Sequence, residues 1–184
     1  NATIEKMLGE SKRAAEVVGR LRDFFRSGTT QLEHVTVKSL LERARRIGKK
    51  LDPSGEVDFR VETDASASAL LADRLQLELV LRNLIANAFE AIANLPSSEK
   101  AVTVSARQAE GGRILFRIAD TGPGLSPSAR KLLFEPFSTT KPMGMGLGLA
   151  ISQAIAEAHG GSLSAARTKH GEFHLVLPGL AANE

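Results

Sequence analysis

The stretch "RILFRIADTGPG", Arg113 to Gly124, joins an apolar run to a turn that contains two glycines. The run predicts a buried strand, and Asp120 stands where that strand ends. A carboxylate at a strand end can accept a hydrogen bond from an exocyclic amino group, while Gly122 and Gly124 would let a flat ring approach the backbone. The stretch therefore indicates either an ordinary strand-ending turn or a contact for an adenine ring.

A second glycine cluster, "GMGLGL" at Gly144 to Leu149, follows further along the chain. Gly144, Gly146 and Gly148 open a predicted helix, where exposed N–H groups and the helix dipole favour a bound phosphate. The spacing matches neither the phosphate loop that ends in Gly-Lys-Ser/Thr nor the dinucleotide fingerprint. A flexible hinge is the alternative interpretation of these glycines.

Asp73 and Gln76 stand three positions apart and predict the capped start of a helix from about Arg74 to Ala93. Its apolar residues share one face: Leu77, Leu81, Leu84, Ala88 and Ile92. Asn83 and Asn87 lie one turn apart on roughly the opposite face, although asparagine is a mediocre helix former. They are either solvated polar residues or part of a polar row that faces a ligand.

Combined, these three features would supply an adenine contact, an oxygen ligand for Mg²⁺ and a cradle for a triphosphate on one side of a sheet. The predicted strands are "VDFRVE", "AVTVSARQ", "RILFRIAD", "SLSAART" and "EFHLVLP". Helices separate some of them and hairpins join the others. We therefore predict an α+β fold, a two-layer sandwich of a mixed β-sheet with helices on one face.

A long amphipathic helix is predicted ahead of this domain, from Ala2 to about Ser27. A second helix, "VTVKSLLERARRIGKKL", is closed by the turn at residues 52–55. The first helix needs a partner for its apolar stripe. Because the chain begins at Asn1 without such a partner, we expect a fragment of a longer protein whose preceding helix completes a bundle.

Composition limits the class of protein further. The 184 residues are 42% hydrophobic, enough for a real core, and contain no cysteine, which excludes disulfides and thiolate zinc sites. The chain has neither a long apolar run nor a signal-peptide pattern, so we expect a cytoplasmic domain whose parent protein is either soluble or membrane-anchored. Residues 1–50 carry 12 Lys and Arg against 6 Asp and Glu. With few aromatic residues beside them, these charges favour a solvated helix face over nucleic-acid binding.

Four motifs resemble, in order and spacing across residues 73–178, those of bacterial sensor histidine kinases. "NLIANAFEAI" resembles the N box, "DTGPG" the first glycine box, "LFEPFSTTK" the phenylalanine box and "GMGLGLAIS" the second glycine box. "SKRAAEVVGRLRDFFRSG" is similar to the second helix of the family's dimerisation and histidine-phosphotransfer hairpin. The resemblance implies a Bergerat ATP-binding fold at 51–180, the hairpin helix and a connecting helix at 1–50, and a tail at 181–184.

The resemblance also implies roles for individual residues. Asn87 would coordinate Mg²⁺, Asn83 would support the phosphate or metal shell, and Asp120 would accept from the adenine amino group. Lys141 would stabilise charge on the γ-phosphate during transfer. The other residues expected to bind ATP are Gly122, Gly124, Ser138, Thr139, Thr140, Gly144, Gly146, Gly148 and Leu149, with Phe134 and Phe137 as anchors of the lid between the last two boxes.

One position separates relatives within this superfamily. Its ATP-hydrolysing members typically carry a glutamate four residues before the Mg²⁺ asparagine, where this chain has Asn83. An amide cannot take a proton, so water activation is disfavoured and transfer to an imidazole is favoured. An ATP-hydrolysing conformational clamp and a non-catalytic nucleotide-sensing module remain the alternatives.

None of the four histidines fits the family's phosphoacceptor pattern. We therefore expect the acceptor helix to lie in the same or a partner subunit, outside this sequence, and the fragment alone not to label itself. The resemblance further implies a homodimeric full-length protein and a response-regulator receiver domain as partner. His170 and His174 lie four residues apart on a predicted strand, about 13 Å, which is too far to chelate one metal ion.

Overall fold

The computed structural model of the protein describes residues 31–64, 69–138 and 146–180. The chain divides into two compact units, Asn1–Gln31 and Leu32–Glu184, and the description below concerns the second. The predicted bundle helix, the tail at 181–184, and Thr139, Thr140, Lys141 and Gly144 lie outside the described residues.

The second unit contains four α-helices and seven strands among its described residues. The helices are α1 (Val37–Leu51), α2 (Arg74–Ala91), α3 (Pro127–Lys131) and α4 (Gly148–Ala158). The strands are β1 (Glu33–Thr36), β2 (Asp58–Thr63), β3 (Ala69–Ala72), β4 (Ala101–Ala109), β5 (Arg113–Asp120), β6 (Ser162–Ala165) and β7 (Glu172–Pro178). Short 3₁₀ turns occupy Ser97–Glu99 and Glu110–Gly112.

The main sheet has five strands in the order β2-β4-β5-β7-β6. The pair β2 and β4 is parallel, whereas the other neighbouring pairs are antiparallel. This confirms the predicted mixed sheet with helices. Register pairs Val102 with Asp120 and Ala119 with Glu172, so the carboxylate that ends β5 lies at the edge where β4 and β7 begin.

The buried apolar residues of the core come from both the strands of the main sheet and the helices. Alternate residues of β4 are buried, as expected for a strand with one covered face, and β5 buries Leu115 in addition to its alternate residues. The apolar face predicted for α2 is confirmed, since all five residues of that face are buried: Leu77, Leu81, Leu84, Ala88 and Ile92. The helix begins as predicted, with Asp73 Oδ1 accepting a hydrogen bond from the Gln76 N–H at 3.1 Å.

The start of the unit differs from the sequence prediction. The predicted second helix included Val35 and Thr36, but these residues belong to β1, which pairs with β3 in a separate two-stranded sheet. Thr36 then caps α1 by accepting from the Ser39 N–H. Helix α1 packs against α2 and β2, and the compact unit begins at Leu32 rather than near residue 51.

A histidine joins the ends of two helices. The Asp73 N–H donates to His159 Nε2 at 3.0 Å, and His159 Nδ1 lies 2.8 Å from the Ile155 carbonyl. Nε2 must therefore be the unprotonated nitrogen, and Nδ1 carries the proton. This neutral ring ties the C-terminal end of α4 to the N-cap of α2.

Within the described part of the chain, none of the helices has both the length and the apolar character that a membrane crossing requires.

Candidate functional site

A row of residues on α2 connects the two glycine segments that the sequence singled out. Asn83, Asn87 and Ala91 follow one another at intervals of four residues, so they lie along one side of the helix. Asn83 meets the start of α4 at one end of the row. The Ala91 carbonyl lies 2.9 Å from where a Cβ on Gly122 would stand at the other end. The helical rise separates Asn83 from Ala91 by about 12 Å, with half-buried Asn87 between them.

The buried amide of Asn83 is engaged with α4. Its Nδ2 lies 3.2 Å from both the Gly148 carbonyl and Ser152 Oγ. The Ser152 hydroxyl also donates to the Gly148 carbonyl, at 2.8 Å. The arrangement fixes the first turn of α4, whose N-cap residue Leu147 makes no side-chain cap hydrogen bond.

Asp120 is 6% exposed and held by backbone groups. Its Oδ1 accepts from the Gly122 N–H at 2.8 Å, and its own N–H donates to the Gly171 carbonyl at 2.9 Å. Burial raises the pKa of Asp120, while backbone hydrogen bonds from Gly122 and Gly171 and the charge of His170 oppose the rise. A ligand N–H that donates to this carboxylate would stabilise its ionised form.

The glycines after Asp120 are required by close packing. A Cβ on Gly122 would stand 2.7 Å from Asp120 Oδ1, and one on Gly124 would stand 2.6 Å from the Lys169 carbonyl. Gly124 also has a φ of +73°, which side-chain-bearing residues rarely adopt. The sequence predicts that these glycines leave space for a ligand ring. In the structure, backbone carbonyls of the protein itself occupy part of the space beside them.

Gly171, which sequence reasoning missed, is equally constrained. A Cβ there would overlap Asp120 Oδ2. The neighbouring His170 places Nδ1 2.9 Å from the Gly122 carbonyl. A lone glycine immediately before the last strand was the available signal, but only the tertiary structure brings it to Asp120.

Gly146, in the second glycine segment, is hydrogen-bonded to Phe137. The Phe137 N–H donates to the Gly146 carbonyl at 3.1 Å, and both residues have positive φ values, +63° and +66°. A Cβ on Gly146 would stand 2.5 Å from the Phe137 carbonyl carbon. Phe137 is 74% exposed, so the expectation that it anchors this segment in the core is wrong, whereas Phe134 is half-buried. Ser138, Gly148 and Leu149 are half-buried.

A separate open cleft of about 710 Å³ lies at the same end of the sheet. It is lined by residues 55–58, 97–101, Thr121 and His170. Asn83, Asn87 and Asp120 do not line it. The cleft therefore adjoins the turn after β5 without containing the predicted ligand contacts.

Comparison with known proteins adds independent information. The family described as histidine kinase-, DNA gyrase B- and HSP90-like ATPase matches residues 72–180. Sensor protein FixL of Bradyrhizobium diazoefficiens is 35% identical over the whole chain, which spans 36% of that relative's length.

Two solved structures share the fold. The mycobacterial sensor histidine kinase MprB aligns over 83% of this chain and all of its own, with a TM-score of 0.69 and 28% identity. Full-length ShkA in complex with AMPPNP aligns over 99% of this chain and 40% of its own, with a TM-score of 0.77 and 29% identity.

Proposed function

This chain belongs to the histidine kinase-, DNA gyrase B- and HSP90-like ATPase family, and on that premise we propose that it is the catalytic region of a sensor histidine kinase. It binds Mg-ATP and transfers the γ-phosphoryl group to a histidine on a helix outside this sequence. The phosphoryl group then passes to an aspartate of a response-regulator receiver domain. The full-length protein is proposed to act as a homodimer with this region in the cytoplasm.

The observation that carries the proposal is the row on α2. Gly122, beside Asp120, contacts one end of the row, and Gly148, at the start of α4, contacts the other. The separation of about 12 Å suits a nucleotide that extends from an adenine contact to a phosphate contact. The likeness to ShkA, which was solved with AMPPNP, supports the same assignment.

At the adenine end, Asp120 supplies a hydrogen-bond acceptor in a water-poor setting. The carboxylate is buried and its position is set by Gly122 and Gly171. Hydrogen bonds are electrostatically stronger in such surroundings than in water. An adenine amino group that donates to Asp120 would also offset the burial that raises its pKa.

At the phosphate end, the first turn of α4 presents N–H groups and the positive end of the helix dipole. Asn83 holds this turn through the Gly148 carbonyl and Ser152. Its amide nitrogen acts as a donor, and an amide is no general base. This geometry supports transfer to an imidazole over activation of water.

Asn87 fits the magnesium ion that the family implies. It lies half-buried between the two ends of the row, and an amide oxygen is the hard ligand that Mg²⁺ accepts. Among the described residues, no group of three or more His, Cys, Asp or Glu could hold a metal ion by itself. A site with one protein ligand completed by phosphates and water is typical of Mg²⁺, which supplies charge neutralisation when bound.

The transfer step requires no base from this chain. A neutral imidazole nitrogen attacks the γ-phosphorus with its lone pair, the N–P bond forms, the β–γ bridging P–O bond breaks, and ADP leaves. The proton on the other ring nitrogen then passes to water or to a base beside the acceptor histidine, outside this sequence. Asn83 and the first turn of α4 orient the phosphates. Lys141, together with Ser138, Thr139 and Thr140, is proposed to meet the γ-phosphate, and Gly144, Gly146, Gly148 and Leu149 to approach the phosphate chain.

The test is incubation of this chain with γ-labelled Mg-ATP, with and without a separately prepared histidine-bearing helical hairpin. The Asn87→Ala variant, which we expect not to transfer label, serves as the comparison. We expect acid-labile label on the added hairpin, no label on this chain alone and negligible free phosphate. Steady phosphate release without protein label would assign the ATP-hydrolysing clamp instead. Nucleotide binding with neither product would assign a non-catalytic module.

A further inference from the structure

The loop between β6 and β7, residues 166–171, packs against the turn that follows Asp120. His170 Nδ1 lies 2.9 Å from the Gly122 carbonyl. Because a carbonyl only accepts hydrogen bonds, Nδ1 carries the proton and donates. The Lys169 carbonyl approaches Gly124 so closely that a Cβ there would stand 2.6 Å away. One side of this loop therefore supports the proposed adenine contact.

The start of the same loop is held by α3. Arg130 Nη1 donates to the Ala165 carbonyl at 3.1 Å and to the Ala166 carbonyl at 2.8 Å. A guanidinium donor makes these hydrogen bonds stronger than neutral ones. Helix α3 has five residues, too few to be stable without tertiary contacts, so its position depends on bonds such as these.

The loop between these two contacts has its own internal bonds. The Ala166 N–H donates to the Glu172 carbonyl at 2.9 Å, which closes the loop at its base. The Thr168 hydroxyl donates to the His170 carbonyl at 2.8 Å. The loop between the Arg130 contacts and His170 is therefore internally hydrogen-bonded.

We propose that Arg130 and His170 are positioning residues that act together, through the β6–β7 loop, to hold the turn after Asp120 in its nucleotide-binding position. Neither residue is assigned a contact with the reacting groups. This inference rests on the proposed function.

The experiment measures ADP binding by calorimetry for the unaltered chain, Arg130→Ala, His170→Ala and the double variant. Arg167→Ala is the matched control, since Arg167 is an exposed arginine of the same loop. Each single variant is expected to weaken ADP binding about fivefold to tenfold, and the double variant less than about twofold more than either, because coupled residues are not additive. The control is expected to bind ADP like the unaltered chain.

Independent, additive losses would overturn the coupling, and so would unchanged ADP affinity in Arg130→Ala. If the unaltered chain binds no ADP, the proposed function itself fails and this inference fails with it. If all variants bind ADP equally, only this inference fails.

Hydrogen exchange of the Gly122 and Gly124 amides without nucleotide provides a readout of position independent of affinity. Arg130→Lys, which keeps the charge but replaces the planar guanidinium whose Nη1 makes both bonds, serves if Arg130→Ala does not fold. We expect faster exchange at these two amides in Arg130→Lys, with protection of the β4 and β5 amides unchanged. No local increase in exchange would contradict the proposal.

Discussion

Asp120 and Gly171 are packed so closely that the carboxylate occupies the space where a side chain on Gly171 would begin. The Asp120 N–H donates to the Gly171 carbonyl at 2.9 Å, so the backbones of β5 and the start of β7 are joined at the same point. The position of the acid is thus defined by a residue that has no side chain.

Gly171→Ala should push the Asp120 carboxylate out of place. We expect adenine-nucleotide affinity to fall by at least about tenfold, or about 1.4 kcal/mol, with an accompanying loss of thermal stability. Calorimetric titration with ADP and a thermal melt measure the two effects. Ser164→Ala, at an exposed position on β6, is the control. Unchanged ADP affinity in a folded Gly171→Ala protein would rule out the adenine role of Asp120.

Asn83→Asp should replace a hydrogen-bond donor with a carboxylate 3.2 Å from the Gly148 carbonyl. Two acceptors would then face each other in a buried position, which should lower the free energy of unfolding by about 1–3 kcal/mol. Urea denaturation measures this loss, and ATP titration measures the accompanying weakening at the start of α4. Asn94→Asp, the same change at an exposed site, should be close to neutral. Equal effects of the two substitutions would contradict the role given to Asn83.

His159→Ala should leave the Asp73 N–H without its partner at the N-cap of α2. We expect a loss of about 1–3 kcal/mol in the free energy of unfolding, measured by urea denaturation. His34→Ala, at an exposed position, is the control. Nitrogen NMR of the His159 ring should report a proton on Nδ1 near neutral pH, and a proton on Nε2 instead would disprove the hydrogen-bond assignment.

Glu172 should make stability depend on pH. Arg117, 2.6 Å away, is the main cause that lowers the pKa of Glu172, and His174 contributes. The folded pKa lies below the unfolded value, so this stabilisation is present above about 4.5 and is lost as pH falls through the folded pKa. Glu172→Gln should therefore reduce the free energy of unfolding at pH 7, by about 1 kcal/mol, with the difference narrowing below about pH 4.5.

Urea denaturation at several pH values checks this prediction. Glu110→Gln, at an exposed position in the β4–β5 turn, is the control and should show little difference at any pH. A Glu172→Gln difference that stays constant down to pH 3 would contradict the assigned partners.

Elements with strong local signals could be predicted from the sequence. Helix α2 was expected from Arg74 to about Ala93 and ends at Ala91, because its cap and apolar period lie within the helix itself. Two apolar runs separated by a Gly-Gly turn likewise predict the β4–β5 hairpin that the structure contains. Family membership followed from four ordered motifs and is confirmed by the match over residues 72–180.

Features that depend on distant partners could not be predicted. Val35 and Thr36, the end of β1, have the pattern of a helix start because the residues after them continue an apolar helical pattern. Only the pairing with β3, far along the chain, places them in a strand. The roles of Arg130, Gly171 and His159 arise in the same way. Each contacts backbone or a side chain that is dozens of residues away, and no local pattern encodes that contact.

The pairing of β5 with β7 also has a consequence for a chain emerging from the ribosome. Ala119 pairs with Glu172, so the strand that ends in Asp120 is made long before the strand with which it pairs. A nascent chain that stops before the β6–β7 loop contains all four family motifs and yet lacks the Gly171 carbonyl to which the Asp120 N–H donates. The backbone around Asp120 therefore gains its last partner only when residue 171 of the 184 has been added.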